Sequence, residues 1–150
     1  MSQYRAVDGL GSDWHVQHPG TRAAGGAGIV LTEATHVSAI GRIISQCLGL
    51  YTPEHKALLT RLAAVITQCG SVPGIQIAHA GRKASSQVPW KGGKPIPVAY
   101  GGWVPLAPSA FPRVPGATEP NALSAGEVGD VIGQFAATAR MGREAGFKVL

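Results

Sequence analysis

The run Gly74-Ile75-Gln76-Ile77-Ala78-His79-Ala80-Gly81-Arg82-Lys83 gathers the groups best placed to do chemistry. Val72 to Ile77 reads as a short apolar strand with one carboxamide, Gln76, in its second half. An amide both donates and accepts, so it can read a ligand edge that alternates the two. The strand then runs into His79, Arg82 and Lys83. In parallel α/β architectures, ligand sites form where buried strands end in polar groups at the carboxyl edge of the sheet. A buried amide left unpaired costs about 1–3 kcal/mol, so Gln76 needs a partner, either a ligand or neighbouring backbone.

The other chemically suggestive residues read mostly as structural. His15 and His18 form an H-x-x-H, but no third ligand is placed by any motif, so capping or surface roles are expected instead of a metal. His79 is expected to orient the loop after its strand, and Arg82 and Lys83 to anchor that loop. Gly25-Gly26-Ala27-Gly28 precedes a strand where a dinucleotide-binding loop would follow one, which excludes that reading. Cys69, at the end of a helix, is expected to be inert.

These residues need elements to position them. Asp13 is expected to cap a helix over Trp14 to Ala24, with Pro19 breaking or kinking it and Gly25-Gly26 ending it. Ala27 to Ala34 reads as a buried strand ending in polar residues, and Thr35 to Tyr51 as a loop. Thr52 before Pro53-Glu54 marks a helix start. Leu58, Leu59, Leu62, Val65 and Ile66 keep helical spacing up to Gly70. After the strand Val72 to Ala78 comes a long Gly-, Pro- and Trp-containing stretch from Gly81 to Leu123, in which Trp90, Tyr100 and Trp103 predict an ordered, packed loop. Ser124-Ala125-Gly126-Glu127 matches a capping box. Val128, Val131, Ile132, Phe135, Ala136 and Ala139 predict an amphipathic helix ending near Gly146, and Phe147 to Leu150 opens another strand. The alternation of strand and helix implies α/β class and a parallel sheet with right-handed crossovers.

Composition narrows the function classes. The 150 residues suffice for one domain, and 45% hydrophobic against 14% charged residues is a globular balance. The net charge of +5 is spread singly over positions such as Arg5, Arg22, Arg42, Lys56 and Arg61, with no aromatic interleaving, which disfavours nucleic acid. Positive potential suits an anionic small ligand better. Two cysteines, Cys47 and Cys69, without C-x-x-C spacing fit a reducing cytoplasm. No apolar run approaches the roughly 20 residues of a membrane span, and no signal pattern opens the chain.

Three segments carry a family likeness. They are Met1-Ser2-Gln3-Tyr4 with Asp13-Trp14-His15 and Arg22; Gly25 to Gly28 and Glu33-Ala34-Thr35 with Gly41-Arg42-Ile43 and Leu48-Gly49; and Gly74 to Lys83 with Pro89-Trp90, Gly92-Gly93 and Ala107-Pro108-Ser109-Ala110. Together they resemble the Old Yellow Enzyme family of flavin oxidoreductases, in its bacterial branch that includes xenobiotic reductases. The resemblance implies a partial TIM (β/α)8 barrel: the end of strand 1, strands 2 and 3, and the start of strand 4. It also implies an FMN cofactor, NAD(P)H as electron donor, and a small-molecule acceptor such as an activated alkene or xenobiotic.

Carried over by position, the resemblance places Met1, Ser2, Ala34 and Gln76 at the flavin and Tyr4 at the substrate. Many relatives have Cys, and others Thr, where Ser2 stands; serine keeps the hydroxyl donor but loses thiol tuning of the redox potential. Pro19 replaces an aliphatic residue, and Cys47 and Lys148 stand where relatives carry acids. The family's His-x-x-His or His-x-x-Asn pair after strand 4, an arginine from strand 6 and the phosphate clamp after strands 7 and 8 would fall beyond Leu150. The expectation is therefore an N-terminal fragment of an FMN-dependent NAD(P)H oxidoreductase, inactive alone. The alternative is a non-catalytic barrel remnant or interaction module, whose open strand edges favour pairing with another chain or copy.

Overall fold

A computed structural model describes residues 1–150. Helix α1 (Asp13–Ala24) leads into strand β1 (Ile29–His36), helix α2 (Pro53–Gln68) and strand β2 (Val72–Ala78). A long irregular segment follows, punctuated by three single-turn 3-10 helices and the two-residue parallel pair β3 (Leu106–Ala107) and β4 (Asn121–Ala122). Helix α3 (Ala125–Glu144) then returns the chain to the sheet.

β1 and β2 are parallel neighbours, in register from Ile29 opposite Val72 to His36 opposite Ala78. The ladder extends beyond β2. Lys148 N–H donates to Pro73 O (2.9 Å) and Ile75 N–H to Val149 O (2.9 Å), so Phe147 to Leu150 does start a further parallel strand. Pro73 is tolerated in this central strand because it lies near the strand's beginning, where a missing donor leaves few ladder bonds unmade.

The sheet is covered on one face only. Val30 and Ile75 point into a core built from Leu48, Leu50, Leu59, Leu62, Ile66 and Phe147, closed by Val16 and Ala23 of α1. Leu50, Leu59, Ile66 and Ile75 are wholly buried. Side chains alternate across a strand, so their neighbours line the opposite, uncovered face: Ile29 is 55% and Leu31 54% exposed. The (β/α)8 class covers that face with the rest of a closed barrel, and this chain contributes a segment of it.

The helix boundaries follow their caps. Thr52 caps α2, its hydroxyl accepting from His55 N–H at 3.4 Å, with Pro53 at the first position. At α3, Ser124 and Glu127 exchange the reciprocal bonds of a capping box: Glu127 N–H to Ser124 Oγ (3.3 Å) and Ser124 N–H to Glu127 Oε2 (2.8 Å). Thr138 of α3 donates to Leu50 O (2.9 Å), fixing the helix to the strand-like stretch that follows β1. Lys56 of α2 and Glu144 of α3 form a surface ion pair.

Several expectations are corrected. Ser12, not Asp13, is the N-cap of α1. Pro19 does not break α1, which runs continuously from Asp13 to Ala24. Thr21 Oγ1 donates to Gln17 O (2.8 Å) and Arg22 Nη1 to His18 O (2.9 Å), adding donors to the two carbonyls that precede the proline. β1 begins and ends two residues later than expected, because its C-terminal half pairs with Leu48 to Leu50: His36 N–H donates to Leu48 O and Leu50 N–H to His36 O. The loop aromatics do not make a packed core, since Trp90 is 68% and Tyr100 82% exposed. Trp103 alone is fastened, donating from Nε1 to Ile40 O at 2.9 Å. The apolar stripe of α3 is correct in period but largely uncovered, with Ile132 63% exposed.

Candidate functional site

The carboxyl ends of β1 and β2 carry the site. Ile75 packs into the helix-side core, so the alternation turns Gln76 to the open face, where it is exposed. Ala34 is its partner across the ladder. Met1 bridges both: its nitrogen donates to Gln76 Oε1 (3.0 Å), and its carbonyl accepts from Ala34 N–H (3.2 Å). Met1 and Gln76, with Gln3, Leu31, Thr32 and Glu33, border an open hollow of about 480 Å³.

A β-bulge makes this arrangement. Between Leu31 and Ala34 the register with β2 slips, because Gly74 to Gln76 spans two steps where β1 takes three. The extra residue reverses the face to which later side chains point. Leu31 and Ala34 therefore both face the open side, although they are an odd number of residues apart. Thr32 and Thr35 stitch the bulge, each donating its hydroxyl to Glu33 O at 2.8 and 2.9 Å, and Thr32 Oγ1 accepts from Gln76 N–H (3.3 Å).

Glu33 is turned into the protein, where its side chain is 2% exposed. Gln3 N–H donates to its Oε2 (2.7 Å), and His15 Nε2 lies 3.2 Å from its Oε1. In the sequence, Glu33 stands out only as part of a family phrase, without a role of its own. A carboxylate inside a strand of otherwise apolar and Thr residues was the available signal, since such a group stays buried only when paired.

Ser2 and Tyr4 turn the other way. Tyr4 packs on the small cluster of Ile44, Cys47 and Val88, with its ring edge-on to Trp90 at 6.0 Å. Its backbone is left-handed, with φ 58°, a conformation that costs a non-glycine residue of order 1–3 kcal/mol and recurs at functional sites. Burial raises the phenol's pKa above its ordinary value. The Ser2 hydroxyl sits near Tyr4 and Cys47, is buried, and has no well-formed hydrogen bond. Burial likewise raises the Cys47 thiol. Met1, Ala34 and Gln76 thus form one patch, Ser2 and Tyr4 a second, joined through the chain from Met1 to Tyr4.

His79 orients its loop as expected. Its Nδ1 accepts from Gly81 N–H (3.0 Å), and burial lowers its pKa. It lies so close to Gly41 that a Cβ there would sit 2.6 Å from its Cδ2, so only glycine fits at 41. Arg82 and Lys83 are not anchors by their side chains, which are exposed and unpaired; the backbone does that work, Lys83 O accepting from Ser86 Oγ at 2.9 Å. His15 is a helix-capping residue, its Nδ1 accepting from Ser12 N–H at 2.9 Å, and His18 stacks on Trp14 at 4.5 Å. No three His, Cys, Asp or Glu side chains gather as a metal site. No helix is long and apolar enough to cross a membrane.

Fold and site define a partial (β/α)8 barrel whose polar groups collect at the carboxyl ends of its strands. A model of the NADH:flavin oxidoreductase / NADH oxidase family matches residues 1–150, and the chain belongs to this family, the Old Yellow Enzymes. The NADPH dehydrogenases of Listeria monocytogenes serotype 4a (strain HCC23) and Geobacillus sp. (strain WCH70) are 38% and 36% identical to it over 143 residues. Each alignment covers 95% of this chain and 38% of the relative, so the chain spans well under half of those proteins. Among solved structures, morphinone reductase in complex with tetrahydroNAD superposes with a TM-score of 0.78 at 22% identity, over 98% of this chain and 41% of that one. FMN and NAD(P)H are the cofactors of the family.

Proposed function

We propose that this chain is the N-terminal, flavin-facing part of an FMN-dependent NAD(P)H oxidoreductase of the ene-reductase type. The observation that supports it is the placement of Gln76: its amide stands on the uncovered face, beside Ala34 and Met1, at the carboxyl end of a parallel sheet. The residues present fit a flat, edge-polar ring. Gln76 offers both a donor and an acceptor to a heterocycle edge. Ala34, a small residue, stands beside it, and the exposed Leu31, which packs over Gly74, provides an apolar wall. The buried Ser2 hydroxyl lacks a well-formed partner and is free to donate.

Bound FMN supplies hydride transfer between NAD(P)H and an electron-poor acceptor such as an activated alkene. In this reading, Gln76 and the Met1 backbone orient the ring, Ser2 donates to its polar edge, and Tyr4 with Trp90 forms the wall against the acceptor. Nothing in residues 1–150 offers a charged pair positioned to polarise an acceptor carbonyl. Those donors belong to later strands of the family's barrel, so the 150-residue chain alone is proposed to be inactive.

Titrating FMN into the purified chain and following flavin fluorescence tests this. Saturable quenching, lost in Gln76→Leu, supports the reading; unchanged fluorescence overturns it. A second reading, a non-catalytic partial barrel, draws on the exposed Ile29 and Leu31, an apolar face suited to association. A protein that self-associates without binding FMN supports that reading instead.

A further inference from the structure

We infer that Glu33, held by His15, is the positioning residue for the Met1–Tyr4 segment, and that the two form a proton-ordered latch between α1, β1 and that segment. The functional consequence rests on the cofactor reading above; the latch itself rests on geometry alone. Ser12 N–H can only donate, and it points at His15 Nδ1 at 2.9 Å. Nδ1 is therefore an acceptor, which in the neutral ring puts the proton on Nε2. That Nε2–H lies 3.2 Å from Glu33 Oε1, off the ideal hydrogen-bond line but within ion-pair reach. The other carboxylate oxygen is taken by Gln3 N–H at 2.7 Å. The chain Ser12, His15, Glu33, Gln3 is thus ordered by two hydrogen bonds at its ends and a close polar contact between His15 and Glu33 in the middle.

Both side chains are almost fully buried, 3% exposed for His15 and 2% for Glu33, so neither can turn to water for a substitute partner. The latch holds the middle of the segment, whose first residue makes two bonds to Ala34 and Gln76 and whose last, Tyr4, packs on Ile44, Cys47 and Val88. Gln3 sits between Met1 and Ser2 on one side and Tyr4 on the other, so its register sets where all three proposed ligand contacts stand. The β1 bulge is what turns Glu33 inward to reach it.

The charge is essential to this order. In Glu33→Gln, one head atom becomes an NH2 group. If it faces Gln3 N–H, two donors meet. If it faces His15, either two donors meet at Nε2, or the ring shifts its proton to Nδ1 and two donors meet at Ser12. One bond of the chain must break in either arrangement.

The test is amide exchange and histidine ¹⁵N shifts by NMR on the 150-residue protein, with FMN titration alongside. In the wild type, His15 is expected in the Nε2–H tautomer, with slow exchange at Gln3. In E33Q, either the Gln3 or the Ser12 amide should exchange about tenfold faster, the scale of one lost charge-assisted bond, or the His15 Nε2 ¹⁵N shift should move as its carboxylate partner is lost. H15Q, which keeps an acceptor for Ser12 and a donor for Glu33, should hold Gln3 near wild-type protection, whereas H15L should not. An Nδ1–H tautomer in the wild type, or E33Q with both amides as protected as before and the His15 ¹⁵N shifts unchanged, overturns the latch. If E33Q does not fold, H15Q against H15L decides the same question. FMN affinity should fall about tenfold in E33Q alongside the lost protection; unchanged affinity overturns the positioning role. A wild type that does not bind FMN overturns the cofactor reading and with it the functional consequence, while the amide and tautomer readouts still decide the latch.

Discussion

Ala34 and Gln76 face each other across the β1–β2 ladder, and Met1 ties them together, its nitrogen donating to Gln76 Oε1 and its carbonyl accepting from the Ala34 backbone N–H. This places a small residue beside an amide on the one sheet face that the helices leave open. The pairing depends on the bulge: without the extra residue at Thr32–Glu33, Ala34 would turn toward α1 and α2.

Replacing Gln76 by Leu keeps the side-chain bulk and removes both polar contacts. On the proposed function, FMN affinity should fall about 10- to 100-fold, the cost of one or two unmade hydrogen bonds. Fluorescence titration measures it. Because Gln76 is exposed, the urea midpoint should move little. A large loss of stability with unchanged affinity would make Gln76 a structural residue.

The core is uneven, and truncations should show it. Leu59→Ala removes a side chain that is wholly buried among Val30, Leu62 and Ile75, and should cost about 2–5 kcal/mol in urea unfolding. Ile132→Ala, on the uncovered face of α3 with 63% exposure, should change stability by less than about 0.5 kcal/mol. Equal costs would mean that α3 is covered in solution, for instance by a second copy.

Pro19 lies inside α1 and lacks the N–H that would reach back to His15 O. Pro19→Ala restores that donor at a helical position. The gain is partly offset by the greater freedom of the unfolded chain, leaving a net stabilisation of about 1–2 kcal/mol, read from the thermal midpoint. No change would show that the proline's neighbours already satisfy the helix.

His36, His55 and His79 all have pKa values lowered from the ordinary 6.5, in each case chiefly by burial. The sign follows from linkage: the unfolded chain binds these protons more readily than the folded one, so acid favours unfolding. Their neutral forms give full stability above pH 6.5, and that stability drains away as pH falls from there through the lowered folded values. Thermal melts between pH 8 and pH 5 should show a falling midpoint below about 6.5. His36 is 1% exposed, and His36→Asn should flatten part of this slope. A midpoint that rises on acidification would contradict the sign.

The element order, the helix starts at Thr52 and Ser124, the extent of β2 and the strand start at Phe147 are legible in the sequence, because each rests on local chemistry: a cap, a proline at a first turn, a period of apolar residues. The sequence also singles out Gln76, since period-two alternation places that side chain opposite Ile75 whichever face is core. The roles of Glu33 and His15 depend instead on long-range contacts. Glu33 takes its partners from Gln3, 30 residues away, and from the cap of another helix. A one-residue bulge, invisible to periodicity, selects the face on which it is buried. The same limit explains α3 and the loop aromatics: their apolar pattern is local, but whether it is covered depends on packing by distant chain.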